Sequence, residues 1–308
     1  MYKFITNQQF LDNYNMKELV SAVEESYKKL GHGNITVPPR SFVDTKEGGD
    51  YLYGAATNLD SERFIVLGSP YMPWNNSTSN KVVTGYYMLI NFRTGELEAV
   101  LDGTDIVVYR TGAKSAVAVK HLAKKDSTRL GLLGLGTQMK TQAEAIVAVK
   151  DIKEIYAFTS NPQNHQDTIE YIKSKTGIEV KVTTKEEVIQ SADIIVASTY
   201  SKESLLSYSD LHPGQLVIST AHSEEISRDL VFNAKTIVDF HLDLEKEKGP
   251  VYWALQDGYD KSKLTELSHV VLNPSLGREN EGEIIYFQSL GVMNENLAAV
   301  EYIFDKLS

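Results

Sequence analysis

A short apolar strand that breaks at glycine and opens directly into a helix constrains this chain more than any other stretch. Residues 130–147 read as strand, phosphate turn and helix, built around Gly131-Leu-Leu-Gly134-Leu-Gly136-Thr137-Gln138-Met139. Gly134 makes the tight turn. Gly136 lets the backbone approach a pyrophosphate seated on the free amides of the helix start, where the helix dipole favours negative charge. Thr137 and Gln138 are placed to add side-chain donors. The usual third glycine is replaced by Met139, so the motif leans on its context: a strand before, a helix after, and further strand–helix units downstream.

That context is an alternation. Apolar runs at 130–133, 155–158, 180–182, 194–197, 216–219 and 236–238 are spaced by helical segments, the clearest at 141–149, 168–173 and 185–190. Such a rhythm predicts a parallel sheet covered by helices, of the Rossmann type. Upstream the pattern differs. Met16, Leu19, Val20, Val23, Tyr27 and Leu30 mark one buried helical face. Short β-like pieces follow at 35–37, 41–43, 51–53 and 64–67, then a polar loop over 69–81, a strand over 82–90 and a return over 97–101 after the turn Arg93-Thr-Gly-Glu96. A helix begins at Gly103-Thr104-Asp105, with Thr104 or Asp105 available as its N-cap, and its small residues around Gly112 permit close packing. Helix is expected again at 263–269, and an amphipathic helix carrying Leu297, Val300, Ile303 and Phe304 closes the chain. The expected class is α/β: a Rossmann-type parallel-sheet domain over 125–289 and an α+β domain over 1–124 with 290–308.

Charge and composition exclude several partners. Forty-one acidic residues against 31 basic ones give the 308-residue chain a net charge of -10, which repels phosphate backbones, so no nucleic acid is expected. Cysteine is absent, which removes disulfides, thiolate nucleophiles and cysteine metal sites. His212, His222 and His241 stand in separate connections without zinc-ligand spacing, so no metal is expected. No run approaches the roughly 18 apolar residues of a membrane helix, and the N-terminus has no signal-peptide core. A protein of the cytoplasm, free of the membrane, is the expectation.

Cofactor selection is read at strand ends. After the second strand the chain runs Phe158-Thr159-Ser160-Asn161, with neither an acid for a ribose 2′-hydroxyl nor an arginine for a 2′-phosphate. NAD and NADP both stay open. The candidate cofactor contacts are Gly134, Gly136, Thr137, Gln138, Thr159, Ser160 and, after the strand 194–197, Ser198.

Two stretches together resemble one family. Val108-Tyr-Arg110-Thr111-Gly-Ala-Lys-Ser-Ala116 followed by Leu132-Leu-Gly-Leu-Gly-Thr-Gln138 and Gln142-Ala-Glu-Ala145 looks like the ornithine cyclodeaminase and μ-crystallin family. Val37-Pro-Pro-Arg40, Thr94-Gly-Glu-Leu97, Leu101-Asp-Gly-Thr-Asp105, Phe287-Gln-Ser-Leu-Gly291 and Asn296-Leu-Ala-Ala299 extend the resemblance over almost the full chain. It implies that the N-terminal part and the terminal helix form a substrate and dimerisation domain, and that the protein is a homodimer.

The same resemblance implies roles for side chains. Arg40 and Arg110 match arginines that hold a substrate carboxylate, for which a guanidinium offers a planar fork. Arg110 lies in an apolar, small-residue helix where an unpaired charge is costly, so a structural salt bridge is the competing role. The family's lysine in the strand before the polar loop has no counterpart in Phe64-Ile-Val-Leu-Gly68. Lys81, at the head of the next strand, is the candidate to reach that pocket or else faces solvent. Where the family carries a catalytic aspartate, this chain reads Thr220-Ala-His222-Ser-Glu224-Glu225. His222 is the candidate proton carrier or else a loop histidine, while Glu224 or Glu225 caps or neutralises the next helix. The implied function is an NAD(P)-dependent oxidoreductase acting on the carbon–nitrogen bond of a small amino, imino or oxo acid. The alternatives are a crystallin-like ligand-binding protein without turnover and a cyclodeaminase-type lyase.

Overall fold

The structure, a computed structural model, describes residues 2–308 except 46–47, 79–80, 200, 221–223, 243, 245–247 and the side chains of 76–77. It comprises two compact units, Met1–Arg110 with Val292–Ser308 and Thr111–Gly291. The sequence reading puts the division between residues 124 and 125, whereas these units part inside a single helix, Thr104–Leu122.

The first unit holds β1 (Lys3–Ile5), α1 (Asn7–Asn13), α2 (Met16–Gly31), β2 (Ile35–Thr36), β3 (Ser41–Asp44), β4 (Asp50–Asn58), β5 (Arg63–Tyr71), β6 (Tyr86–Asn91) and β7 (Leu97–Asp102), after which α3 (Thr104–Leu122) begins. Its sheet runs β1-β7-β6-β5-β4-β2, with β3 also paired to β4. The predicted helical face of α2 is the buried one: Met16, Leu19, Val20, Val23 and Tyr27 point inward, and the Asn15 side chain caps the helix on Glu18 N. Period-two alternation buries Ile65, Leu67, Tyr87, Leu89, Ala99 and Leu101 and leaves Tyr86 and Met88 exposed.

Two expectations are corrected here. The polar loop begins later than residue 69, because Ser69, Pro70 and Tyr71 pair with Leu52, Tyr51 and Asp50 and extend β5. The next strand starts at Tyr86 rather than 82, Val83 making only an isolated bridge to Tyr71.

In the second unit the strands are β8 (Arg129–Leu133), β9 (Glu154–Phe158), β10 (Val180–Val182), β11 (Ile194–Ala197), β12 (Leu216–Ser219), β13 (Lys235–Val238), β14 (Thr265–Glu266) and β15 (Ile285–Gln288). Between them lie α4 (Thr137–Val149), α5 (Gln166–Thr176), α6 (Lys185–Ser191), α7 (Arg228–Asn233), α8 (Pro250–Gln256) and α9 (Leu267–Leu272). All the pairings are parallel, in the order β10-β9-β8-β11-β12-β15-β13-β14. The chain then re-enters the first unit as α10 (Met293–Lys306). The second unit is the expected Rossmann-type sheet, and the first is the expected α+β unit. Strands β11, β12 and β15 are buried along their whole length, as a parallel sheet with both faces covered requires. The helix expected at 263–269 is instead a short 3-10 turn, β14 and α9, because Ile237 and Val238 recruit Thr265 and Glu266 as an edge strand. Among the described residues no helix is long and apolar enough to cross a membrane.

Two glycines set helix distances in this unit. A Cβ on Gly131 would lie 2.8 Å from Ala192 Cβ and 2.9 Å from Val188 Cγ1, so α6 packs directly on β8. A Cβ on Gly112 would lie 2.5 Å from Thr141 O, which fixes the close approach of α3 and α4 expected from the small residues. At the N-terminal ends of β8 and β11, Asp193 accepts from the backbone amides of Thr128 and Arg129 at 2.8 and 2.9 Å and pairs with the Arg129 guanidinium at 2.7 Å. Burial raises the Asp193 pKa, but the Arg129 hydrogen bond and the two amides outweigh it and hold the carboxyl below its ordinary value.

Asp193→Asn is expected to destabilise the protein by about 1–3 kcal/mol at neutral pH in urea unfolding. Because the carboxyl is depressed in the folded state, its contribution is complete above an unfolded pKa of about 4 and is lost as pH falls through the folded value. The gap between wild type and variant should therefore close in acid.

Candidate functional site

The phosphate turn lies where the strand order reverses. Gly134 has φ +96°, a conformation that L side chains rarely adopt. Its N–H donates to Phe158 O at 2.8 Å, and a Cβ there would lie 2.8 Å from both Ser198 O and Thr199 Cγ2. The ends of β9 and β11 thus close on it from either side. Gly136 is different: its φ of −70° suits any residue, and a Cβ built there meets no heavy atom within 4 Å. It is the N-cap of α4, and no side chain caps that helix, so the first-turn amides of Thr137 and Gln138 have no side-chain acceptor. An open shelf of amides at a helix start fits a pyrophosphate.

The remaining predicted cofactor residues lie along the same sheet edge. Ser198 N donates to Leu133 O at 3.1 Å, continuing the ladder between β8 and β11. Thr159 and Ser160 directly follow β9; Ser160 is exposed, and Thr159 Oγ1 accepts from Asn161 N at 3.4 Å. Gln138 Oε1 is buried without a hydrogen-bond partner among the described residues. Glu225 corrects an expectation. It does not cap α7, whose N-cap is Ser227; its buried carboxylate accepts from Thr199 N and Oγ1 at 2.6 and 2.7 Å and ties the segment after β12 to the one after β11. Glu224 stays exposed, 3.9 Å from Arg228.

The predicted arginines belong to the first unit, and Arg110 lies against the first turn of α10. Arg110 Nη1 donates to Glu295 Oε2 at 2.8 Å, and both side chains are buried. Glu295 Oε1 accepts from Tyr27 Oη at 2.8 Å and from Val292 N at 3.1 Å. Tyr87 Oη donates to Asn296 Oδ1 at 2.7 Å. Burial pushes the Tyr87 phenol far above its ordinary range, with Arg110 pulling it down and Glu295 pushing it up. Arg40 is buried too. Its Cγ lies 3.3 Å, and Met293 Sδ 2.7 Å, from the place a Cβ of Gly54 would take. The salt bridge weighed for Arg110 from sequence therefore exists, and it leaves Nε buried without a hydrogen-bond partner among the described residues.

Two predicted catalytic residues fare differently. Lys81 is exposed and its ammonium is 3.1 Å from Asp105 Oδ1, in keeping with the solvent-facing reading. His222 lies outside the described residues. Leu67, within the strand that lacks the family lysine, is buried directly across from Tyr87. Sequence reasoning missed Glu295, and it missed Lys114, whose fully buried ammonium is 2.9 Å from Asp239 Oδ2, which also accepts from Gly291 N at 2.6 Å. The argument applied to Arg110, a charge inside a small-residue helix, would have singled out Lys114 as well. Among the described residues no group of three or more metal-ligating side chains forms.

Comparison with known proteins agrees with this arrangement. A Bacillus cereus Delta(1)-pyrroline-2-carboxylate reductase is 30% identical over 95% of this chain and 92% of its own. An alanine dehydrogenase of Archaeoglobus fulgidus is 26% identical over 98% and 94%. The structure of Thermococcus litoralis Delta(1)-pyrroline-2-carboxylate reductase in complex with NADH and L-proline superimposes with a TM-score of 0.93 at 29% identity, covering 98% of this chain and 96% of that one. These relatives are oxidoreductases that act on amino or imino acids. Residues 3–308 match the family description in full, and the chain belongs to the ornithine cyclodeaminase/mu-crystallin family.

Proposed function

We propose that this protein is an NAD(P)-dependent oxidoreductase acting on the carbon–nitrogen bond of a small amino or imino acid, and that it works as an imine reductase of the Delta(1)-pyrroline-2-carboxylate type. The observation that carries this reading is the full-length likeness to a reductase bound to NADH and L-proline, joined here to a glycine turn that opens an uncapped helix and to two buried arginines. A bound reduced nicotinamide would supply hydride to the carbon of a C=N bond. The chain's own residues do the rest. Gly134 and Gly136 shape the pyrophosphate seat, and the amides of Thr137 and Gln138 donate to it. Thr159, Ser160 and Ser198 border the seat at the strand ends. Arg110 and Arg40 hold the substrate carboxylate in a buried setting where a charge-assisted hydrogen bond is strong. His222 gives the imine nitrogen its proton. With neither acid nor arginine after β9, both NADH and NADPH serve.

A second reading, ligand binding without turnover, is favoured by one observation: the stretch Phe64-Ile-Val-Leu-Gly68 of β5, where the resemblance leads one to expect the family lysine, has none. Mixing the protein with NADH or NADPH and Delta(1)-pyrroline-2-carboxylate, or with 2-oxo acids plus ammonia or amines, separates the two. Loss of nicotinamide absorbance supports the reductase. Cofactor binding by calorimetry with no turnover on the whole panel supports the second reading.

We also propose a homodimer built on the outer face of the first unit's sheet. Phe4, Val100, Met88 and Val66 form a continuous cross-strand row there, and Phe4 and Met88 are 60% and 43% exposed, beside exposed Tyr53 and Tyr86. Exposed apolar side chains gathered in one row mark an interaction surface more often than scattered ones do. Light scattering should give twice the 34.4 kDa chain mass, and Met88→Lys should shift it toward the single chain.

Two substitutions test the site itself. Gly136→Val, with room for its side chain, should leave the melting temperature nearly unchanged and weaken NADH binding by about tenfold or more, since only the ligand needs that space. Gly134→Ala should instead destabilise the fold by about 1 kcal/mol or more, because φ is positive and Ser198 O is already close. Arg110→Lys keeps a cation beside Glu295 but loses the fork, and should raise KM for the acid by roughly 10- to 100-fold with kcat little changed.

A further inference from the structure

Resting on the reading that Arg110 receives the substrate carboxylate, we infer that Glu295 is the positioning residue that sets Arg110, and that the acid is taken side-on by the Nε and Nη2 edge of the guanidinium. A guanidinium offers two bidentate edges, Nη1 with Nη2 and Nε with Nη2. Glu295 Oε2 occupies Nη1 at 2.8 Å, which closes the first edge to a second carboxylate. The other edge begins at Nε, which is buried and without a hydrogen-bond partner among the described residues. An idle buried N–H of a charged group costs stability, and a ligand carboxylate spanning Nε and Nη2 is the group that satisfies it.

Glu295 is built to hold rather than to react. Its second oxygen is fixed by two donors from different places in the unit, the Tyr27 hydroxyl of α2 and the Val292 amide that precedes α10. A carboxylate held at both oxygens cannot swing, and the rotamer of Arg110 is fixed with it. Arg40 Cγ and Met293 Sδ both border the place a Cβ of Gly54 would take, at 3.3 and 2.7 Å. The ligand class that follows is a compact acid whose planar carboxylate is free to lie in the guanidinium plane.

The test uses the intact protein with NAD+ and L-proline as the probe, and pyrrolidine as the analogue without a carboxylate. Glu295→Asp keeps the charge and withdraws the carboxylate by one methylene, so it changes position without changing the electrostatic pull on the acid. It should raise the proline Kd about tenfold or more, the loss expected of a misplacement near 1 Å. NADH binding should be unchanged, and KM for the imino acid should rise with kcat altered less than about threefold. Tyr27→Phe removes one restraint on Glu295 and should move the same quantities in the same direction by roughly two- to fivefold. Wild type should bind proline and not pyrrolidine. If Glu295→Asp lowers the melting temperature while its proline Kd stays within about twofold of wild type, Glu295 is merely structural and the inference falls. If that variant does not fold, an unchanged Kd in Tyr27→Phe overturns it equally. Proline binding that weakens as expected in a protein with no turnover would sink the reductase reading and leave this inference standing; turnover that neither variant alters would do the reverse.

Discussion

The second unit depends on the backbone at Gly134. There the carbonyl of Phe158, which ends β9, takes the Gly134 amide, and the carbonyl of Ser198, which follows β11, lies 2.8 Å from where a side chain would begin. β9 and β11 are the two neighbours of β8, so three adjacent strands end against one residue with no side chain and a positive φ. The reversal of strand order opens a crevice at that point, and the same turn delivers the uncapped start of α4 to it. The proposed ligand seat and a fold requirement therefore share one piece of backbone. Gly136, two residues on, carries no such structural demand, and the contrast separates what the fold needs from what a ligand needs.

Buried charge organises the rest. Each unit contains a cation on α3 paired with an acid from a distant part of the chain, Arg110 with Glu295 in the first and Lys114 with Asp239 in the second. The partners are 185 and 125 residues apart in sequence, and each acid accepts backbone or hydroxyl hydrogen bonds besides. Pairs like these add little net stability over a well-packed apolar replacement, while losing one partner leaves a stranded charge that costs about 3–5 kcal/mol. Their value lies in register: a helix of small residues would slide with little penalty, and a buried ion pair fixes where it stops. In the first unit this fixed position also gives Arg110 one occupied and one open edge.

What could be read from the chain follows from how local each signal is. The strand, turn and helix around Gly134 are specified within eighteen consecutive residues. The buried face of α2 and the apolar runs of the parallel sheet are likewise periodic patterns, and they emerged as read. Elements whose existence depends on a partner were misjudged. Residues 69–71 are polar and contain Pro70, yet they are strand because Asp50, Tyr51 and Leu52 pair with them. Thr265 and Glu266 are strand only because β13 leaves an edge beside them.

The sequence by itself determined the strand, glycine turn and helix around Gly134, the α/β class and the buried charge of Arg110, because glycine placement, hydrophobic period and a charge in an apolar helix are properties of neighbouring residues. Tertiary structure decided which edge of Arg110 is open, that Glu225 braces Thr199 instead of capping a helix, and that Lys114 is buried against Asp239. Each of those outcomes joins residues that are far apart in the chain, and a one-dimensional pattern holds no information on which distant oxygen comes to meet a given donor.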